Sequence, residues 1–510
     1  MTTAVLELQN ITKRFGALTA NDDISLRLER GEILAFLGEN GAGKTTLMNI
    51  LFGHYVPDEG RVFVKGTEIP QGKPRAAIDA GVGMVHQHFT LAPNLTVLEN
   101  IVTGTESLWR LKSATAAARA KINTIAERFG LKVDPDARLG DLSVGEQQRV
   151  EILKALYNDA DILILDEPTA VLTTQEAAGL FETLKEMARQ GLSLIFISHK
   201  LHEVMSAANR VVVLRGGKVV ATRQTHATSK EELAELMVGR RVSRPARVTA
   251  TPGETLLEAR DITVVEDGAT RLSNIDFYLR AGETLGIIGV SGNGQATLGR
   301  LVSGLSQPAS GELTLFGQRV TTFDPRRFVA DGIGRIPEDR NAEGAIGDLS
   351  LWENAILERV RDPQFSNGLM VNRNAARAFT DRIIKGFDVR GGTPDSRIRL
   401  LSGGNMQKLI LGRNLEVSPR ILIAAQPTRG LDEGAVAAIH ARILEARAKG
   451  TAVLLISEDL DEIIGLADRV QAIVKGHLSP PIDAEEANAQ RLGLMMAGEW
   501  QTDAMTRGAN

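Results

Sequence analysis

The chain has no cysteine, which excludes disulfides, thiolate nucleophiles and cysteine-ligated metals. No apolar run approaches the roughly 20 residues of a membrane span. The longest, such as Ile33 to Leu37 and Ile421 to Ala425, have the length of a buried strand. Neither sign of charge dominates: 59 Lys and Arg face 63 Asp and Glu, a net charge of −4. That balance gives no general attraction to nucleic acid. The start, Met1 to Phe15, is polar and mixed in charge, unlike a secretory leader. These absences predict a cytosolic chain whose membrane role, if any, runs through partners. What is present is 43% hydrophobic residues, enough for soluble α/β cores, over a length of 510 residues that suits two to four domains.

The strongest internal signal is a repeat. Asn10-Ile11-Thr12 matches Asp261-Ile262-Thr263, and Gly31-Glu32 matches Gly282-Glu283, at an offset of 251. Gln87 falls opposite Glu338. A net insertion of 8 residues between Glu338 and Ser402 then raises the offset to 259, so that Ser143 matches Ser402 and Met237-Val238-Gly239 matches Met496-Ala497-Gly498. A period this long means tandem domains. The expected limits are residues 1–239 and 255–498, with a linker at 240–254 and a tail at 499–510. The linker holds four arginines, Pro245, Pro252 and Gly253. A solvated connection accounts for those arginines better than a phosphate or lipid contact.

Each half carries a glycine loop, but they differ in chemistry. Gly38-Glu39-Asn40-Gly41-Ala42-Gly43-Lys44-Thr45 fits the phosphate-loop pattern in full; Thr46 follows. Glycines let backbone N–H groups approach phosphate oxygens, and the next helix turns its positive end toward them. Lys44 supplies a point charge on the β- and γ-phosphates, and Thr45 a hydroxyl for Mg²⁺. Ile33 to Leu37 reads as the strand before this loop and Thr45 to Phe52 as the helix after it. Asp161 to Leu165 reads as a second buried strand. It ends at Asp166, a metal-binding carboxylate, and Glu167, a base for the attacking water. Leu194 to Ile197 centres a third strand ending at Ser198-His199. Catalytic groups at the carboxyl ends of parallel strands fit an open α/β sheet.

Leu142-Ser143-Val144-Gly145-Glu146-Gln147-Gln148 and Leu401-Ser402-Gly403-Gly404-Asn405-Met406-Gln407 resemble the signature motif of ABC-transporter ATPases. Gln87 resembles that family's Q-loop glutamine, His199 its switch histidine and Gly430-Leu431-Asp432 its D-loop. Val171-Leu172-Thr173 is the poorer first-half counterpart. Phe15 sits where the family places an adenine-stacking aromatic, usually tyrosine, and keeps the stacking face. The resemblance covers nearly all 510 residues. It implies two tandem P-loop NTPase domains, each with a RecA-like parallel-sheet core, an antiparallel β subdomain and an α-helical subdomain. It also implies that the domains pair head to tail. One ATP site then joins Lys44, Thr45, Gln87, Asp166, Glu167 and His199 to Ser402, Gly403, Gly404 and Asn405, with Mg²⁺ held by Thr45, Gln87 and Asp166.

The other site joins Gln295 and Ala296 to Ser143 and Gly145. There Asp166 is replaced by Ala425, Glu167 by Gln426, His199 by Glu458 and Gln87 by Glu338. Losing a positioned base alone costs about 10²–10⁴ in rate, so negligible hydrolysis is expected there. Two readings of the residual site stand open: weakened nucleotide binding, opposed by Glu338 and Glu458, or a surface retained for packing.

Met84-Val85-His86-Gln87-His88-Phe89, Pro93-Asn94-Leu95-Thr96-Val97 and Ala424-Ala425-Gln426-Pro427-Thr428-Arg429-Gly430 resemble ATPases of nucleoside importers served by a basic-membrane-protein-type binding protein. The implied function is to energise nucleoside uptake from the cytoplasmic face of the cell membrane. The implied partners are two separate permease subunits and, indirectly, an extracytoplasmic substrate-binding protein or lipoprotein. No nucleic acid is expected, and no contact with the transported substrate. The segment between Gln87 and Ser143 resembles the helical subdomain that docks a permease. A ribose- or galactose-type importer is the nearest alternative, and a soluble tandem ATPase acting on ribosomes is the alternative of another class.

Overall fold

The computed structural model describes residues 4–16, 18–39, 41–86, 90–103, 115–169, 172, 174–198, 200–239, 251–368 and 370–500. Asn40, Gln87 and His199 lie outside the described residues. The chain divides into two compact units, Met1–Val242 and Ser243–Asn510.

In the first unit, Ile33–Leu37, Ile162–Asp166 and Ser193–Ile197 are buried along their whole length, as strands covered on both faces must be. Alternate residues feed two separate cores. Ala35, Leu37, Leu163, Leu165, Leu194 and Phe196 serve one; Leu34, Phe36, Ile162, Ile164, Ile195 and Ile197 serve the other. The sheet runs Lys218–Gln224, Arg210–Arg215, Ile33–Leu37, Ser193–Ile197, Ile162–Asp166, Val82–Val85. All neighbours are parallel except the first pair. A separate antiparallel sheet joins Leu18–Glu29, Ala4–Phe15, Glu59–Val64 and Thr67–Glu68. Helices Val97–Val102, Thr115–Phe129 and Val144–Tyr157 follow in chain order. The first and third open on capping boxes, Thr96 with Glu99 and Ser143 with Glu146, which satisfy otherwise orphaned N–H groups.

The second unit repeats this plan. Its core sheet runs Ile333–Ile336, Ile421–Ala425, Ala452–Ser457, Thr284–Ile288, Arg469–Val474, His477–Leu478, and its antiparallel sheet contains Ala269–Arg280, Thr255–Glu266, Ser310–Leu315 and Gln318–Arg319. Isolated bridges place the insertion. Thr96 pairs with Arg138, and Ser350 with Arg397, so the offset is 254 at the first member and 259 at the second. Three extra residues therefore precede Ser350, where Arg340–Gly344 forms one π turn, and five follow it. Gly253 and Glu254, at the end of the expected linker, bond to Ala281 of the second unit. Trp500, in the expected tail, donates to the Met495 carbonyl at 3.0 Å.

Two boundaries differ from the sequence reading by one residue. The helix after the loop is Lys44–Leu51, because Gly43, at φ 98, already caps it. The second strand is Ile162–Asp166, because Asp166 still pairs with Ile197. Among the described residues no helix is long and apolar enough to cross a membrane.

Candidate functional site

The glycine loop joins the strand Ile33–Leu37 to the helix Lys44–Leu51. A Cβ on Gly38 would overlap the Leu214 carbonyl, and one on Gly43 the Ala20 carbonyl, whereas Gly41 faces open space. One side of the loop is thus closed against backbone and the other left clear, the shape a phosphate cradle needs. Asn21 fastens the closed side through a bond from Nδ2 to the Gly43 carbonyl at 3.0 Å. Lys44 is only 6% exposed. Its Nζ donates to the carbonyls of Gly38, at 2.6 Å, and Glu39, at 2.9 Å. Ala42 lines the loop, Thr45 is exposed and Thr46 partly buried.

Asp166 is buried at the end of the strand Ile162–Asp166, which Ser193–Ile197 separates from Ile33–Leu37. Burial pushes its carboxyl up to about 6; the charge of Glu167 adds to the rise and Lys44 opposes it. Such a carboxylate, together with the Thr45 hydroxyl, is a hard-oxygen donor set that suits Mg²⁺ arriving with phosphates. Among the described residues no cluster of three or more His, Cys, Asp or Glu could hold a metal unaided. Glu167 follows at φ 46, and its N–H bonds to the Ile197 carbonyl at 3.1 Å. A left-handed conformation costs about 1–3 kcal/mol in a non-glycine residue. The second unit keeps it at Gln426, φ 46, so the turn survives there without the carboxylate. Ser198 continues the third strand, adjacent to the other two.

Phe15 is 45% exposed, which sets it apart from a core phenylalanine. Tyr55 meets it edge-on, centroids 5.7 Å apart, and Lys13 Nζ lies 5.4 Å from its centroid. In the second unit the matching residue is Glu266, which accepts bonds from Thr297 at 2.9 Å and Ser306 at 3.2 Å and pairs with Arg300. Both members of the aromatic pair are therefore missing there, Ser306 standing for Tyr55. The constant offset of 251 already carried this signal, and the sequence reading did not use it.

The second loop is braced by its own side chain, as the first is by Lys44. Gln295, 9% exposed, donates from Nε2 to the Val290 carbonyl at 2.7 Å and accepts the Asn293 N–H at 3.0 Å. Asn293 donates to the same carbonyl at 2.8 Å. The matching N–H of the first loop, that of Ala42, is also bonded within its loop, to the Glu39 carbonyl at 3.1 Å, so the loops differ in charge, lysine against glutamine, rather than in closure. Ala425 and Gln426 offer no negative charge, and Glu458 is exposed. The charge expected from Glu338 is offset by Arg429, whose Nη1 lies 2.7 Å from Oε1.

The two signature segments differ at their helix starts. Ser143 donates to the Glu146 carboxylate at 2.8 Å, which commits its hydroxyl to a negative group, and Val144 is exposed. Ser402 instead accepts from Asn405 Nδ2 at 2.9 Å, a neutral partner. Gly403 and Gly404 follow, and the Arg340 guanidinium lies where a Gly403 side chain would be, 2.9 Å from that Cβ position. Arg340, Arg399, Gly403 and Met406 line a concavity of about 360 Å³. A helix start with glycines, a serine and nearby guanidinium is suited to an anion.

A family model described as ABC transporter matches residues 21–170 and 272–429. The chain belongs to the ABC transporter family. This ABC chain is 45% identical to the glucose import ATP-binding protein TsgD13 of Haloferax volcanii, over 97% of this chain and 96% of that one. It is 44% identical to the guanosine import ATP-binding protein NupO of Bacillus subtilis, over 98% of each. Among solved structures it is similar to an archaeal ribosome recycling factor crystallised with the stalk protein aP1. The TM-score is 0.64 at 18% identity, covering 95% of this chain and 92% of that one. This last likeness shows the fold, two tandem ABC ATPase domains.

Proposed function

We propose that this ABC chain is the ATP-hydrolysing subunit of an importer and energises nucleoside uptake through separate permease subunits. The observation that carries the reading is the contrast between the two loops. Lys44 brings a positive charge to its glycine loop, with the buried Asp166 close enough to feel it, whereas the second loop has the neutral Gln295 at that place and Ala425 and Gln426 in place of the two acids. ATP is thus hydrolysed at the first phosphate loop. The domain limits are taken as 1–239 and 255–498.

Backbone N–H groups from Gly38 to Gly43, including Asn40, hold the phosphates, and Phe15 stacks on the base. Thr45, Thr46, Gln87 and Asp166 are the groups for Mg²⁺ and the phosphates around it. When bound, the metal neutralises charge on the β- and γ-oxygens. Glu167 takes a proton from water as its oxygen attacks the γ-phosphorus, and the bond to the leaving ADP oxygen breaks. Lys44 and His199 stabilise charge on the transferred group. Ser402, Gly403, Gly404 and Asn405 act as a phosphate-recognising helix start. The chain works as a peripheral subunit at the cytoplasmic membrane face. A substrate-binding protein outside the membrane delivers the cargo, and this chain does not touch it.

The names of the relatives support import, and they include a sugar importer as well as a nucleoside importer, so a simple-sugar cargo is the second reading. The ribosome-acting alternative is not favoured, since the resemblance to a recycling factor rests on fold at 18% identity. The test is uptake of labelled nucleosides and labelled sugars in cells lacking this chain, complemented by wild type, Lys44→Ala or Gln295→Ala. Nucleoside uptake restored by wild type and Gln295→Ala but not by Lys44→Ala is the expected result. Loss of sugar uptake alone moves the chain to the sugar branch, and a large loss with Gln295→Ala refutes the single working site.

A further inference from the structure

Glu203 is a carboxylate in the first turn of the helix Leu201–Ala207, and it is 1% exposed. A carboxylate is not buried so completely without strong partners, and here they are specific. Its Oε1 accepts the Thr169 hydroxyl at 2.5 Å and lies 3.2 Å from Lys200 Nζ. Its Oε2 accepts the Ser198 hydroxyl at 2.6 Å. Ser198 Oγ in turn accepts the Lys200 N–H at 3.0 Å. Thr169 lies two residues beyond Glu167, and Ser198 and Lys200 flank His199. One buried charge therefore fastens the loop behind the proposed base and the loop bearing the switch histidine. Bonds to an ionised acceptor are roughly twice as strong as neutral ones, so the joint is stiff.

The second unit supplies an internal control. Glu462 occupies the matching place, 2% exposed, and keeps the bond from the threonine, Thr428, at 2.7 Å. Its other partner is His440 Nε2 at 3.2 Å, from the helix Glu433–Ala448. Asp459 stands in place of Lys200, and its carboxylate caps its own helix. The buried acid is thus retained in both units. The bonds from both residues flanking the histidine position are made in the unit that carries Lys44.

We propose that Glu203 is a positioning residue for ATP hydrolysis, holding the loops of Glu167 and His199 in one register through Thr169 and Ser198. The proposal rests on the reading that the first phosphate loop is the working one. Without the clamp each loop moves separately, and misplacement of about 1 Å at a reacting group costs on the order of 10²-fold in rate. Nucleotide binding relies on the glycine loop and Phe15, which the clamp does not touch.

The experiment uses the full chain. Glu203→Gln is expected to lower kcat by about 10–100-fold with KM for ATP almost unchanged. Amide exchange in peptides spanning 166–173 and 196–202 should quicken together. Glu462→Gln, the same change in the same kind of buried network, should leave kcat at the wild-type value. If Glu203→Gln does not fold, Thr169 decides: Thr169→Val should lose kcat as above, and Thr169→Ser should restore it. Normal kcat in Glu203→Gln, or in Thr169→Val if the glutamine variant does not fold, overturns the proposal, as does an equal loss in Glu462→Gln. Failure of the underlying reading shows separately, as Lys44→Ala retaining full turnover.

Discussion

Asp166→Asn should stabilise the nucleotide-free first unit, and increasingly so as pH rises. The carboxyl is raised from 3.8 to about 6, first by burial, then by Glu167, with Lys44 opposing. A raised folded pKa means that the fold favours the protonated form. The stability contributed by this carboxyl is complete below pH 3.8 and is lost as pH climbs through 6. An asparagine mimics the neutral acid at every pH. The linkage relation gives a gap of about 2 kcal/mol at pH 5 and about 3 kcal/mol at pH 8 in favour of the variant. Urea dependence of amide exchange in peptides covering Ile33–Leu37 and Ile162–Asp166, in EDTA and without nucleotide, isolates this unit from the other. With Mg²⁺ and ATP the order should invert, because the charge then has a partner. A gap that does not change between pH 5 and pH 8, or a variant less stable at pH 8, refutes the reasoning.

Glu167→Gln should retain ATP on a filter while turnover falls by about 10²–10⁴; normal turnover removes Glu167 from its assigned role. Phe15→Ala should raise KM for ATP about fivefold, the low end of base–aromatic stacking at about 1 kcal/mol, because the ring is half-exposed; Phe15→Trp should restore it, and an unchanged KM in the alanine variant refutes stacking. Arg469→Met leaves the buried Glu283 with Arg280 as its remaining guanidinium. It should destabilise the second unit by about 3 kcal/mol, read by calorimetry as one transition moving while the other stays.

The repeat, the buried strands and the first phosphate loop were legible because each is written in consecutive residues or at a fixed offset. Ile33 to Leu37 could be read from five letters. What stayed hidden depends on side chains meeting across long stretches of chain. Arg429 lies 91 residues from Glu338, so the second unit's acid looked unpaired in the sequence. Thr169 and Glu203 are 34 apart, and nothing in their spacing marks them as one joint. The inward fold of Gln295 is a choice of side-chain torsion, which a motif records only as a missing lysine. Glu266 is different: it stands at the constant offset from Phe15 and was open to reading.

On the proposed reading, the glutamine that replaces the lysine in the second loop also divides how the two halves answer to supply. A ligand that binds only the folded form adds RT ln(1 + [L]/Kd) to stability, about 2.7 kcal/mol at a hundredfold excess. The first half can draw on that reserve, so its resistance to unfolding and proteolysis tracks the cell's nucleotide level. On the proposed reading the second half draws on it less, because Gln295 brings no charge to the phosphates. If that reading holds, the half with Lys44 softens first in starvation, and turnover of the whole subunit follows that half.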